Sequence, residues 1–167
     1  MIKARKLGHI VMNVSDLDAS LNFYAKVIGA EVVSKIPESK IAFLSLGEQH
    51  HDIALVQRAT GAPPDPTQPG LVHMAWQLGD FTELQAAHKE LTAAGIKLEP
   101  IQHNITNSLY MEDPDGNVVE LYCDRWGEGA EGIEVLRRAG PQRKTLDMET
   151  GEAVGETQEV LKAKVRR

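Results

Sequence analysis

The chain has little cysteine, no long apolar run and no surplus of positive charge. A single cysteine, Cys123, stands in its 167 residues. One thiol makes no internal disulfide, so the usage suits a reducing compartment. No apolar stretch approaches the ~20 residues a membrane-spanning helix requires. The opening Met1-Ile2-Lys3-Ala4-Arg5-Lys6 is basic, and no apolar signal segment follows it. These features read as a soluble cytoplasmic protein. The net charge is -6, which argues against nucleic acid or an anionic membrane as the main partner, because both require a basic patch. Only Lys162 to Arg167 offers a local one. Hydrophobic residues at 42% and charged residues at 25% supply an ordinary globular core.

A repeat organises the rest. Leu7-Gly8-His9-Ile10-Val11-Met12-Asn13-Val14-Ser15-Asp16-Leu17 matches Leu71-Val72-His73-Met74-Ala75-Trp76-Gln77-Leu78-Gly79-Asp80-Phe81 at an offset of 64 residues. His9 falls on His73 and Asp16 on Asp80. Each Asp precedes a helical pattern: Leu17, Leu21, Phe23, Tyr24, Val27 and Ile28, ended by Gly29, then Phe81, Leu84, Ala87, Leu91 and Ala94, ended by Gly95. Asp16 and Asp80 read as N-caps, whose carboxylates accept free amide hydrogens of the first turn.

From Gly29 the offset becomes 66, and three strand-like segments follow in each half. They are Glu31 to Ile36, Ile41 to Leu46 and Asp52 to Val56, then Ile96 to Ile101, Ser108 to Met111 and Val118 to Tyr122. Asp113-Pro114-Asp115-Gly116-Asn117 is a turn before the last strand. The expected organisation is a first βαβββ module over 1–58, a Pro- and Gly-rich linker over 59–70, a second module over 71–126 and a C-terminal extension over 127–167. The fold class is α+β, with the two modules paired into one open, cup-shaped mixed barrel around a metal site. In the extension Gly127 to Gly132 reads as a flexible link, Ile133 to Arg138 as a short helix, Leu146 to Gly155 as exposed chain and Thr157 to Val165 as helical. Exposed sheet edges suggest a homodimer.

Glu120 lies within Val118-Val119-Glu120-Leu121-Tyr122. A carboxylate in an apolar strand is costly unless paired or bound to metal. His9 and His73 occupy similar apolar segments, Leu7 to Val14 and Leu71 to Leu78. Taken singly, each has a structural explanation: a histidine bonded to a main-chain carbonyl, or a glutamate paired with Lys or Arg. Taken together under the repeat, they suggest metal ligands. Two imidazoles and one carboxylate leave three coordination positions open, the ligand set of non-haem Fe(II) oxygenases. The counterpart of Glu120 in the first half is Ala54, which cannot ligate, so this register excludes a fourth protein ligand.

The run Ile101-Gln102-His103-Asn104-Ile105-Thr106-Asn107-Ser108-Leu109-Tyr110-Met111-Glu112-Asp113-Pro114-Asp115-Gly116-Asn117-Val118-Val119-Glu120 resembles the signature of the extradiol ring-cleaving dioxygenases, within the vicinal oxygen chelate superfamily. The resemblance spans roughly residues 5 to 125. It implies that His9, His73 and Glu120 hold Fe(II), with Mn(II) or another divalent ion as alternatives. It implies that Tyr110 bonds a substrate oxygen, that His103 stands near the substrate, and that His51 handles protons and oxygen. Strand alternation aims His50, rather than His51, to the side of Ala54, so both stay in play. His88 is given no role. The implied reaction cleaves a catechol-type ring with O2, the partners being a small aromatic diol and O2. The same scaffold also serves fosfomycin-type thiol transferases, glyoxalase- or epimerase-like enzymes and non-catalytic small-molecule binders. Strand parity offers Val11, Asn13, Phe43, Ala75 and Gln77 as pocket walls.

Overall fold

Asp16 and Asp80 start the two long helices as the sequence leads one to expect. The Asp16 carboxylate accepts from the Ala19 amide at 3.0 Å, and that of Asp80 from the Glu83 amide at 2.9 Å. The Glu83 side chain reaches back to accept from the Gly79 amide at 2.8 Å, a reciprocal arrangement that satisfies another free donor. Helix α1 spans Leu17–Ile28 and α2 spans Phe81–Ala93. Gly29 closes α1 in the left-handed region at φ 67. At the end of α2, Gly95 donates to the Thr92 carbonyl and Ile96 to the Leu91 carbonyl, the paired bonds of a Schellman motif.

The structure is a computed structural model and describes residues 1–65, 67–127, 129–140 and 142–155. Two compact units emerge: residues 1–63 with 113–115, and residues 64–112 with 116–167. The first carries β1 (Ile10–Val14), α1, β2 (Glu31–Ile36), a 3-10 turn at Pro37–Ser39, β3 (Ile41–Ser45) and β4 (Ile53–Gln57). Its sheet runs β1-β4-β3-β2, with β1 parallel to β4 and the other neighbours antiparallel. Leu17, Leu21, Tyr24 and Val27 of α1 are buried in a core with Val14, Leu44, Ile53 and Leu55. The Tyr24 hydroxyl bonds the Asp113 carboxylate at 2.8 Å, so the Asp113–Asp115 turn belongs to this unit.

The second unit repeats the pattern with β5 (Met74–Gln77), α2, β6 (Glu99–Gln102), β7 (Thr106–Glu112) and β8 (Val118–Asp124). Here β5 is parallel to β8, as β1 is to β4. The registers agree with the repeat: Val11 faces Ala54 in the first sheet, and Ala75 faces Glu120 in the second. An α+β fold of two βαβββ modules is therefore what the chain forms. Leu84 and Leu91 of α2 are buried in a core with Leu109, Val119, Leu121 and Cys123.

Two expectations need correction. Strands β1 and β5 begin at Ile10 and Met74, so His9 and His73 stand one residue before their strands and not inside them. Leu7, Leu71 and Val72 are exposed; apolar character alone extended the expected strands too far. The segment after Leu146 is not simply exposed chain. Helix α3 (Ala130–Ala139) is followed by β9 (Lys144–Leu146) and β10 (Ala153–Val154), which extend the second sheet to β10-β9-β6-β7-β8-β5. Pairing of β9 with β6, and of β10 with β9, holds them there, rather than any apolar alternation of their own. The helix expected over Thr157 to Val165 lies outside the described residues. No described helix is long and apolar enough to cross a membrane.

Candidate metal centre and substrate pocket

Alternation along β7 and β8 builds the site in the second unit. Val119, Leu121 and Cys123 are buried, while Glu120, Tyr122 and Asp124 line a cavity of about 420 Å³. On β7, Thr106 and Tyr110 line the same cavity, and Ser108 lies between them on that face. His73, Ala75, His103, Asn104 and Ile105 complete the wall contributed by the repeat, with Leu136, Gly140 and Gln142 added from beyond it.

Tyr110 and Glu120 are direct neighbours across β7 and β8. Glu120 is only 5% exposed. His73 reaches it from the start of β5, with Nε2 at 3.0 Å from Oε2. Burial on its own would raise the Glu120 carboxyl, but hydrogen bonds from His73, Ser108 and Tyr110 outweigh it and hold the group below its ordinary value. The carboxylate thus stays ionised at neutral pH in a buried place. For Tyr110 the balance runs the other way: burial, then the Glu120 charge, pushes its hydroxyl upward, with Arg143 opposing.

His103 stands at the far side of Tyr110. Its Nδ1 lies 2.8 Å from the Gln142 carbonyl, and its Nε2 lies 2.9 Å from the Tyr110 hydroxyl. A carbonyl only accepts, so Nδ1 carries the hydrogen, and in the neutral ring Nε2 accepts from Tyr110. The single Tyr110 hydrogen therefore has two acceptors, His103 Nε2 and the Glu120 carboxylate. The turn carrying His103 is pinned by Arg125, which donates to the His103 carbonyl at 2.9 Å, and by the Trp126 indole, which donates to the Asn104 carbonyl at 2.6 Å.

In the first unit, His9 is exposed beside His51, their ring centroids 4.4 Å apart. His51 is half-buried and also meets Phe43 edge-on at 5.2 Å; His50 is exposed, 6.4 Å from His9. Partial burial, then the neighbouring His9 and His50, lower the His51 pKa from its ordinary value. Ala54 is buried at the register position that Glu120 holds in the second unit.

Among the described residues, no three His, Cys, Asp or Glu side chains are gathered closely enough to hold a metal ion. His73 and Glu120 form a pair. Two ligand atoms about 2.1 Å from one ion at a right angle stand about 3 Å apart, which is the separation of His73 Nε2 and Glu120 Oε2. An imidazole nitrogen beside a buried ionised carboxylate is also the donor chemistry a borderline divalent ion takes. The pair fits such an ion.

Of the residues expected from the sequence, Ala75, His73, His103, Tyr110 and Glu120 share the cavity. Gln77 does not line it; its amide donates to Asp124 at 2.8 Å. Val11 is exposed, and the Asn13 side chain accepts from the Arg58 amide. Ser108 was missed, although its spacing of two from Tyr110 puts it on the same strand face. Gln142, Arg143 and Leu136 were missed because nothing in the repeat corresponds to them.

The fold and the donor pair stand beside a match over most of the chain. Residues 6–121 match the model of the Glyoxalase/Bleomycin resistance protein/Dioxygenase superfamily. The chain belongs to that superfamily. It is 35% identical over 134 residues to biphenyl-2,3-diol 1,2-dioxygenase 3 of Rhodococcus globerulus, covering 78% of this chain and 70% of that protein. It is 32% identical over 161 residues to catechol-2,3-dioxygenase of Bacillus subtilis (strain 168), covering 83% of this chain and 54% of that protein. Among solved structures, a glyoxylase/bleomycin resistance protein/dioxygenase domain from Frankia sp. EAN1pec superposes with a TM-score of 0.65 at 23% identity, over 74% of this chain and all of that one. The last likeness concerns the fold.

Proposed function

We propose that the protein is an Fe(II)-dependent extradiol dioxygenase, with His73 and Glu120 as two of its metal ligands and His9, the repeat counterpart of His73, as the third. The observation that carries the reading is the His73–Glu120 pair at 3.0 Å in one cavity with the bonded Tyr110 and His103. The likeness to enzymes named for biphenyl-2,3-diol and catechol supports the same reaction class.

The bound ion would supply Lewis acidity, lowering the pKa of a catechol hydroxyl and gathering both reactants at one place. The chain's own residues do the rest. Ala75, facing Glu120 across β5 and β8, has a small side chain and leaves room for a ring beside the carboxylate. Ile105 and Leu136 offer that ring apolar surface. The Tyr110 hydroxyl, held between His103 Nε2 and Glu120, donates to a diol oxygen when it turns toward the cavity. His103 Nε2, released from that bond, then accepts a hydrogen bond from the other diol hydroxyl or from water. His51, held below the ordinary histidine value, is neutral at pH 7 and able to take a proton from the diol. The reaction breaks the ring carbon–carbon bond next to the diol and places both atoms of O2 in the product, a muconic semialdehyde.

Anaerobic loading with Fe(II), followed by catechol or 3-substituted catechols and then air, tests the proposal. A yellow product should appear with uptake of one O2 per diol. Bound iron with neither colour nor oxygen uptake across the series would sink it.

A further inference from the structure

Residues beyond the repeat enter the pocket in a specific way. Strand β9 pairs antiparallel with β6, Gln102 opposite Lys144 and Ile101 opposite Thr145. This brings the residues just before β9 alongside His103 and Tyr110. Further ties hold the hairpin down: Gln85 donates to the Met148 carbonyl at 2.7 Å, and Gln102 to the Gly151 carbonyl at 3.0 Å. The segment is therefore built into the second unit.

Arg143 is 8% exposed, a rare degree of burial for a guanidinium. Its Nη2 donates to Glu99 at 2.8 Å. Its Cζ lies 5.3 Å from the centre of the Tyr110 ring. Glu99 and Tyr110 are register partners on β6 and β7, so the guanidinium bridges a carboxylate and an aromatic face. The half-exposed Glu99 accounts for Nη2 but not for the burial of the remainder. Buried Nε has no hydrogen-bond partner. The negative face of the Tyr110 ring is the group that receives this cation in place of an oxygen. The opposite constraint comes from Gln142, whose carbonyl fixes the His103 tautomer and so aims Nε2 at the Tyr110 hydroxyl.

We propose that the segment after the repeat is a working part of the pocket, with Arg143 a positioning residue that fixes the Tyr110 ring while the Gln142 carbonyl fixes its partner His103. The proposal rests on the reading that Tyr110 serves the diol reaction, but its ring contact is testable without that reaction. Two adjacent residues control two members of one hydrogen-bonded pair. The extension thereby sets the angle at which the Tyr110 hydroxyl faces the cavity.

The test uses metal-free, full-length protein carrying 13C on the tyrosine rings. There are three tyrosines, and the Y110F spectrum identifies the Tyr110 signal. R143M keeps side-chain length and removes the charge; R143K keeps the charge and removes the planar fork. In R143M the Tyr110 ring signal should shift and its ring flip should quicken, with the Tyr24 signal unmoved. R143K should fall between R143M and the wild type. A Tyr110 signal unchanged in folded R143M overturns the proposal. Should R143M fail to fold, an unchanged Tyr110 signal in R143K overturns it equally. In the iron-loaded enzyme R143M should lower kcat roughly tenfold to hundredfold with little change in KM, the pattern of lost orientation rather than lost binding. A wild type without diol turnover refutes the reaction proposed above, and the ring signals still decide the role of Arg143.

Discussion

Replacing Tyr110 with Phe tests the polar network with the smallest change of shape. The hydroxyl meets His103 Nε2 at 2.9 Å and shares hydrogen bonds with Glu120 and Ser108. A neutral bond contributes about 0.5–1.5 kcal/mol net and one to a carboxylate about 1.5–3 kcal/mol. Three features reduce the sum. His103 keeps its bond to the Gln142 carbonyl, Glu120 keeps His73 and Ser108, and the cavity admits water to the vacated place. The expected loss is about 1–2 kcal/mol, or roughly 3–6 °C in Tm for a chain of this size. The pH dependence has a definite sign. Glu120 is held below its unfolded value, so its contribution is present above the ordinary Glu value of about 4.3 and is lost as pH falls through the folded value. Tyr110→Phe removes one of the bonds that hold it low. Its cost should be full at pH 7 and shrink as pH falls through the lowered folded value, below which the carboxyl is protonated in both proteins. Thermal melts of metal-free protein followed by tryptophan fluorescence suit the measurement, because Trp76 and Trp126 both belong to the second unit. An unchanged Tm at pH 7, or a penalty that grows on acidification, refutes the reasoning.

Other perturbations probe separate parts of the molecule. His73→Ala should abolish uptake of Fe(II) or Mn(II), read by metal analysis of dialysed protein, and with it the rise in Tm that metal gives the wild type by mass action. Asp80→Ala removes the α2 cap and should cost about 1 kcal/mol by chemical denaturation, with Asp80→Asn largely restoring it. Gly151→Ala should destabilise more than Gly29→Ala. Both positions have positive φ, but a Cβ at Gly151 would lie 3.0 Å from Phe81 Cε1, while one at Gly29 meets nothing within 4 Å. Strain alone is worth about 1–2 kcal/mol, so equal losses at the two sites would show that the hairpin does not rest on α2.

The sequence was readable wherever the two halves comment on each other. His9 against His73 and Asp16 against Asp80 fixed the helix starts, and the change of offset at Gly29 led to the pairing of Ala54 with Glu120, which the two strand registers reproduce. Where only one copy exists, the helical pattern over Ile133 to Arg138 is legible and α3 contains it, but the strands that follow are not. Strand β9 has three residues and β10 two, too few for alternation to show, and their place is decided by the β6 edge. Arg143 carries no mark in the sequence, and it is the β9–β6 pairing that places it in a buried position. The beginnings of β1 and β5 were misjudged for a different reason: Leu7, Leu71 and Val72 are apolar but exposed, and hydropathy does not distinguish an apolar approach from a strand.

The parallel pairing of β5 with β8 has a bearing on biosynthesis. Neighbouring strands of that kind are the first and last of their module, so His73 leaves the ribosome long before Glu120, and no local hairpin joins them. A nascent chain paused anywhere in between carries a histidine with no carboxylate beside it and cannot capture an ion through this pair. Assembly of the His73–Glu120 pair is thereby postponed until translation has passed the last strand of the repeat.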